Sequence, residues 1–360
     1  MRRLQIYILW RTLMAVGAVL AVLGSVVALV QFVELSRTVG GRADASFATL
    51  LRLVLLEAPA VILLLMPFIF LFGVMGAFVA LNRRNELIAM RAAGMSAWRF
   101  VGPAALCAAV IGAAVTVALN PIASQWSALY QTERAALEEA GGGRGEVWLR
   151  QTAGGEPVFI HARRQVRVGD TVRLEGVTAY VENRAAGAAM VLGRRIEAGA
   201  AVVTPGAWRL QDVREAAPGE GVVGADEVRL GTDRGGTMTT LVSPAAVGFW
   251  DLPDQIRAAS TSGYATAPYA LRLQQLLALP LLLGAMAILA ASCSLRLMRL
   301  GDLVLMAGAG VAIGFAIFFL NQFLGALGAN QALPVTLAAW VVPIITLLSG
   351  LTLLAWTEDG

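Results

Sequence analysis

Five stretches of this sequence carry no charged side chain: Thr12–Val33, Ala58–Asn82, Phe100–Thr132, Leu273–Leu295 and Leu303–Thr357. Uncharged runs of this length leave few folds open. A hydrocarbon layer of about 30 Å takes about 20 helical residues at roughly 1.5 Å each, and within it the backbone must satisfy its own hydrogen bonds. The first four stretches each predict one membrane-spanning helix. The fifth, 55 residues long, exceeds one span and is interrupted by Asn321-Gln322, Gly328-Ala329-Asn330 and Pro334. It reads as two spans joined by a short turn, which makes six. The first run is too long for a signal-peptide core and lacks a small-residue cleavage site leading into a mature domain, so it reads as a retained span.

Charge chemistry narrows the function. All 28 basic residues are Arg. Without Lys there is no P-loop lysine, no Schiff-base lysine and no Ser–Lys dyad. One His, His161, cannot form an HExxH zinc site, and Cys107 and Cys293, both in apolar runs, cannot form a four-cysteine site or a disulfide framework. They read as small apolar span residues. No cofactor is expected. The net charge of +4 does not predict nucleic-acid binding, because the placement of the Arg residues decides their use. Nine flank spans on one side: Arg2, Arg3, Arg11, Arg83, Arg84, Arg91, Arg99, Arg296 and Arg299. The span 1–2 loop on the other side holds Arg37, Arg42 and Arg52. The positive-inside rule then puts both termini in the cytoplasm and the segment between spans three and four outside.

That segment is a different polymer. Glu133–Thr240 holds 14 Arg and 15 Asp/Glu, a soluble composition close to neutral. Period-two alternation predicts strands at 147–149, 158–160, 166–168, 171–182, 189–192, 201–204, 207–212 and 228–230, with turns at Gly169-Asp170 and Pro205-Gly206. Eight or so short strands suggest a β-sandwich or jelly roll over 133–257, between membrane parts 1–132 and 258–360. Gly141–Gly145 and Ala258–Gly263 read as its hinges. Its carboxylates alternate with Arg as on a solvated sheet face, and His161 reads as an ordinary strand residue. An open edge strand in such a domain can accept a partner strand, so docking fits better than chemistry.

Between spans two and three lies Asn82-Arg-Arg-Asn-Glu-Leu-Ile-Ala-Met-Arg-Ala-Ala-Gly-Met-Ser96. It predicts a short helix over 85–94 with Asn85 as N-cap, Glu86 at the positive helix end and Gly94 closing it. Leu87, Met90 and Arg91 share one face, and Ser96 caps the next span. Two readings fit: an interfacial helix that turns the chain, or a knob that docks into a separate ATPase.

The segment NELIAMRAAGMS resembles the signature of the lipopolysaccharide export permeases, the LptF/LptG family. The arrangement of three spans, an external β-domain and three spans is similar over the whole chain. Gln31-Phe-Val-Glu34, Asn321-Gln-Phe-Leu-Gly325 and Leu252–Tyr264 look most like LptG. The resemblance implies a six-helix permease with a periplasmic jelly roll in the inner membrane of a Gram-negative bacterium. Its partners would be a homologous LptF-like subunit, a cytoplasmic LptB-like ATPase dimer and a single-span periplasmic LptC-like bridge protein. It places ATPase coupling on Asn85, Glu86, Leu87, Met90, Arg91 and Gly94, with Leu87 and Met90 free to fill a groove of the ATPase. It places lipopolysaccharide contact at the outer end of span one, on Gln31, Glu34, Arg37 and Arg42. Gln31 departs from the basic residue of some relatives, and Arg37 and Arg42 suit the lipid phosphates.

Acyl chains need only apolar wall, which Phe68, Phe72 and Phe319, with Phe70, Phe315 and Phe318, supply in spans two and five. Gly73, Gly76, Gly112, Gly308, Gly310 and Gly314 would allow close helix approach. Glu57, near the outer interface, would pair with Arg52 or Arg272. An intramembrane enzyme is disfavoured because the spans hold almost no ionisable group. A non-transporting mechanotransmission protein, or a scaffold with a periplasmic docking domain, is the alternative.

Overall fold

The computed structural model describes residues 2–38, 46–140, 147–153, 156–168, 171–183, 191–204, 207–216, 223–231, 244–261, 265–297 and 303–359. They form two units, which are described separately. One comprises the described residues of 2–38, 46–130 and 244–359, the other those within 131–231.

In the first unit, six helices are long and apolar enough to cross a membrane. They begin with α1 (Arg2–Thr38) and α2 (Phe47–Arg83). A short α3 (Glu86–Ala92) precedes α4 (Trp98–Ala114), which continues through a π-helical turn, Val115–Leu119, into α5 (Asn120–Ala140). After the second unit come α6 (Leu252–Thr261), α7 (Ala267–Leu297), α8 (Leu303–Ala329) and α9 (Val335–Asp359). The 55-residue run does break into two helices, at Asn330–Pro334, where Gln331 takes a positive φ of 59° and Pro334 opens the next helix.

Helix α7 is the hub. Its most apolar window is 72% buried, against 6% for α1. Close approach to it rests on small residues: a Cβ on Gly112 of α4 would lie 2.7 Å from Pro280 Cα, and one on Gly350 of α9 would lie 3.0 Å from Leu289 N. Gly73 of α2 is pressed against Val16 of α1 in the same way, with 2.6 Å to Val16 Cα. Gly76 and Gly308 meet nothing within 4 Å in this chain, so they do not bring its own helices together. Polar links cross the bundle too. The Thr116 hydroxyl donates to Leu276 O at 2.9 Å, and Ser292 Oγ donates to Gly350 O at 3.1 Å.

The expected hinge at Ala258–Gly263 is helix up to Thr261, and Gly263 lies outside the described residues. Leu252, Ile256 and Ala259 recur at helical spacing and pack α6 with Tyr269 and Leu276 of α7. The expected boundary at 257/258 falls inside this packed helix, which belongs to the first unit.

The second unit is one antiparallel sheet of six strands in sequential order: β1 (Val147–Ala153), β2 (Glu156–Val168), β3 (Thr171–Asn183), β4 (Val191–Thr204), β5 (Ala207–Ala216) and β6 (Val223–Gly231). The short strands expected at 158–160 and 166–168 are one element, as are those at 189–192 and 201–204 within the described residues. The turn pairs Gly169-Asp170 and Pro205-Gly206 and the hinge Gly141–Gly145 lie outside the described residues. One face is apolar, with Ile160, Leu174, Ile196, Trp208 and Leu210 buried. Arg195 and Glu197 pair on the opposite, solvated face, and Arg194 and Glu215 pair at 3.1 Å beside Ile196 at the rim of the apolar one.

The sheet is creased. Val177, Ala198 and Val213 form one buried row across β3, β4 and β5, and Leu174, Ala201 and Leu210 form another. Two residues separate the rows in every strand, where simple alternation allows one. The extra residue is accommodated by left-handed backbone at Gly176 (φ 61°) and Asp212 (φ 56°). Gly199 lies between them, with its Cβ position 3.2 Å from Asp212 Cβ. A second sheet packed on this one, as in the expected sandwich, is not seen among the described residues.

Candidate functional site

The loop that joins α2 to α4 is built by two left-handed residues. Asn85 (φ 58°) donates its N–H to Asn82 O at 2.7 Å and turns the chain out of α2. It stands at the expected N-cap position of α3, with its carbonyl accepting from Ala89 N at 3.0 Å, but its backbone is left-handed and its side chain makes no capping bond. The other end closes as expected. Gly94 (φ 76°) donates to Arg91 O at 2.9 Å and Met95 donates to Met90 O at 3.2 Å, the paired bonds of a Schellman motif. Ser96 contributes its carbonyl to Arg99 N, and Ala97 occupies the cap position of α4 instead of Ser96.

Leu87 and Met90 do share a face, but it points inward. They are 2% and 7% exposed and belong to the main core with Phe78, Ala97 and Phe100. The outward residue is Ile88, 58% exposed, beside exposed Ala89, Ala92 and Ala93. The sequence places apolar residues on both faces, so periodicity alone could not tell a home core from a partner's groove.

Both ends of α3 are fastened by polar bonds to distant helices. Tyr7 Oη of α1 donates to Glu86 Oε1 at 3.2 Å, and Arg11 Nε donates to Tyr7 Oη at 3.2 Å. The Arg11 guanidinium also lies 5.6 Å from the centre of the Tyr7 ring. At the other end Arg91 Nη2 donates to Thr357 O of α9 at 3.4 Å. A small cleft lined by Leu4, Gln5, Ile8, Met95, Arg99 and Phe100 opens beside this assembly.

At the opposite end of α1, Glu34 and Arg37 are exposed, and Gln31 buries its Oε1 without a hydrogen-bond partner among the described residues. Arg42 lies outside the described residues. Phe32 packs on Phe47, with ring centres 5.4 Å apart, and holds this end of α1 to the start of α2. Glu57 is half-buried and forms no ion pair with Arg52 or Arg272, so the expected local pair is not made.

The expected aromatic wall separates into two faces. Phe68 and Phe72 stack at 6.4 Å and Phe68 meets Phe318 at 5.4 Å, along a seam where α8 approaches α2 through Gly310 and Gly314. Phe319 instead belongs to an outward stripe on α8 with Val311, Phe315 and Phe323, all more than half exposed. Phe70 is buried in the core.

No cluster of three or more His, Cys, Asp or Glu that could hold a metal occurs among the described residues. His161 sits in β2 between Trp148 and Thr178.

The profile of the lipopolysaccharide export system permease LptF/LptG family matches residues 6–356. The chain belongs to this family. A search of curated protein sequences finds no match. As an LptF/LptG protein, the chain is a multi-pass membrane protein and a permease component of lipopolysaccharide export, and it is not itself a catalytic enzyme. The family match takes in both units and the α3 loop between α2 and α4.

Proposed function

We propose that this chain is the LptG-like transmembrane subunit of an ATP-driven extractor that lifts lipopolysaccharide from the outer leaflet of the inner membrane. The single observation that carries this is the family match over residues 6–356, which runs through α3. The subunit pairs with a homologous LptF-like permease around a lipid cavity, with an LptB-like ATPase dimer beneath. The absence of Lys accords with that division of labour, since the phosphate-binding lysine of a nucleotide site must come from another chain.

Both termini and α3 face the cytoplasm, and the β-unit faces the periplasm, on the arginine distribution. In this reading α3 is the coupling helix, and its exposed Ile88 face, not Leu87 and Met90, meets the ATPase. Closure of the ATPase pair narrows the cavity between the two permeases, to which the outward stripe of α8 with Phe319 offers apolar wall, while Phe68 and Phe72 back it from the α2–α8 seam. Gln31, Glu34, Arg37 and Arg42 meet the headgroup. The creased sheet, with one apolar face, is the inner half of a jelly roll that passes the lipid to an LptC-like bridge protein.

The test is reconstitution of the complex in proteoliposomes, with ATP-dependent release of lipopolysaccharide to a periplasmic acceptor measured for wild type and Glu86→Ala. Wild type is expected to release lipid only with ATP, and Glu86→Ala to lose most of that release. A wild-type complex that binds no lipopolysaccharide sinks the reading, and normal release by Glu86→Ala removes Glu86 from coupling.

A further inference from the structure

Glu86 has a partner within its own chain. Tyr7 lies 79 positions away in sequence, yet its hydroxyl donates to Glu86 Oε1 at 3.2 Å. That hydroxyl is used twice, because it also accepts from Arg11 Nε at 3.2 Å. The result is a chain of guanidinium, phenol and carboxylate in which the cation polarises the phenol toward the anion. Hydrogen bonds to an ionised group are roughly twice as strong as neutral ones, and linked bonds reinforce one another. All three side chains are half-buried, where screening by water is reduced.

The arrangement also has a direction. Tyr7 and Arg11 are one helical turn apart on α1, so the phenol is braced along that helix and cannot swing without breaking the Arg11 bond. Leu4, Tyr7 and Ile8 pack on the same core that holds Leu87 and Met90, so α1 and the short helix share one apolar base. At its far end, α1 carries Gln31, Glu34 and Arg37. A displacement of α3 at Glu86 therefore has a stiff, continuous route along a 37-residue helix.

We propose that Tyr7, braced by Arg11, is a positioning residue that fixes Glu86 and fastens the coupling helix to α1, so that the two move as one lever. This rests on the permease reading above and names the link by which that reading transmits force.

The test uses the complete complex, with its partner permease and ATPase, in vesicles of bacterial phospholipid loaded with fluorescent lipopolysaccharide. Lipid released and ATP hydrolysed are both measured, and their ratio is the readout. Tyr7→Phe keeps the ring and loses only the hydroxyl. It is expected to lower lipid released per ATP about tenfold, the factor that one charge-assisted bond carries, with ATPase retention unchanged and the thermal transition lowered only slightly. Arg11→Met is expected to do the same, and Arg11→Lys, which still donates to the phenol, to restore most of the ratio. Tyr7→Phe combined with Glu86→Gln is expected to do no more harm than the worse single change, because the two act through one bond.

A wild-type ratio in both Tyr7→Phe and Arg11→Met overturns the lever and leaves the permease reading standing. Loss of ATPase retention in Tyr7→Phe with an unchanged ratio overturns it as well, since the tyrosine would then only shape the dock. Wild-type vesicles that release no lipid with ATP overturn the permease reading itself.

Discussion

The indole Nε1 of Trp250 donates to the carbonyl oxygen of Val117 at 3.1 Å. Val117 lies in the π-helical turn between α4 and α5, where the widened ladder frees a carbonyl that a regular helix would engage. Three residues further, Asn120 Oδ1 accepts from Phe249 N at 2.9 Å. The segment leading into α6 is thus pinned to the third span by two bonds at the one place where that span departs from α-helical geometry. Trp250→Phe keeps the aromatic body and loses the donor. It is expected to cost about 1 kcal/mol, and Asn120→Ala a similar amount. Thermal unfolding of the purified chain in detergent checks this. Limited proteolysis should also show faster cleavage within 244–261, and an unchanged cleavage rate would mean the pins do not hold that segment.

The glycine seams separate positions that look alike in sequence. A Cβ at Gly112 would meet Pro280 Cα at 2.7 Å, backbone against backbone, while one at Gly76 meets nothing within 4 Å. Gly112→Val must push α4 away from α7, an overpacking cost of about 1–3 kcal/mol or more. Gly76→Val should be close to neutral. Recovery of monodisperse protein in detergent, compared side by side, checks the pair.

How much of this could be read from the chain itself follows from what each feature depends on. Six spans are legible because loss of charge over about 20 residues is a property of one segment at a time. The closing role of Gly94 is legible for the same reason, since left-handed backbone strongly favours glycine. The inward direction of Leu87 is not, because a seven-residue helix with apolar residues on both sides fits either environment. Nor is the crease, because the phase of β3, β4 and β5 slips at Gly176, Gly199 and Asp212, and alternation read on either side of Gly199 breaks β4 in two. The Tyr7–Glu86 contact joins residues 79 apart, and no local pattern announces it.

The crease itself is testable. Gly176 has φ of 61° and its Cβ position lies 3.0 Å from Arg163 Cδ. Gly176→Ala is strained whatever space the arginine yields, at a cost of about 1–2 kcal/mol. Gly224→Ala, whose nearest neighbour is 4.0 Å away, has no such penalty from φ or contact. Thermal melts of the full chain followed by far-ultraviolet circular dichroism should show a lowered transition for Gly176→Ala alone.

Orientation in the membrane has a direct assay. Cys107 and Cys293 lie within spans, half-buried and buried, and so give little background to an impermeant maleimide. Asn85→Cys, on an exposed position before α3, should be labelled only after the inner membrane is permeabilised. Arg195→Cys, on an exposed position of β4, should be labelled in intact spheroplasts. The reverse pattern would invert the topology drawn from the arginines.

The two apolar neighbours at the start of α3 predict opposite phenotypes. Leu87 is 2% exposed within the core shared with Phe78 and Phe100, whereas Ile88 is 58% exposed. An aspartate at 87 would bury an unpaired charge, which costs several kcal/mol, so Leu87→Asp should fail to accumulate as folded protein. Ile88→Asp leaves the core untouched and should fold normally. If the outward face of α3 is the surface that meets the ATPase, Ile88→Asp breaks an apolar contact and should cut ATPase retained on affinity-purified complex by about tenfold, the loss expected from one buried apolar anchor. The discriminating measurement is ATPase per permease in the purified complex, normalised to folded permease. Full retention with Ile88→Asp would move the dock away from this face, to the cleft lined by Leu4, Met95 and Arg99.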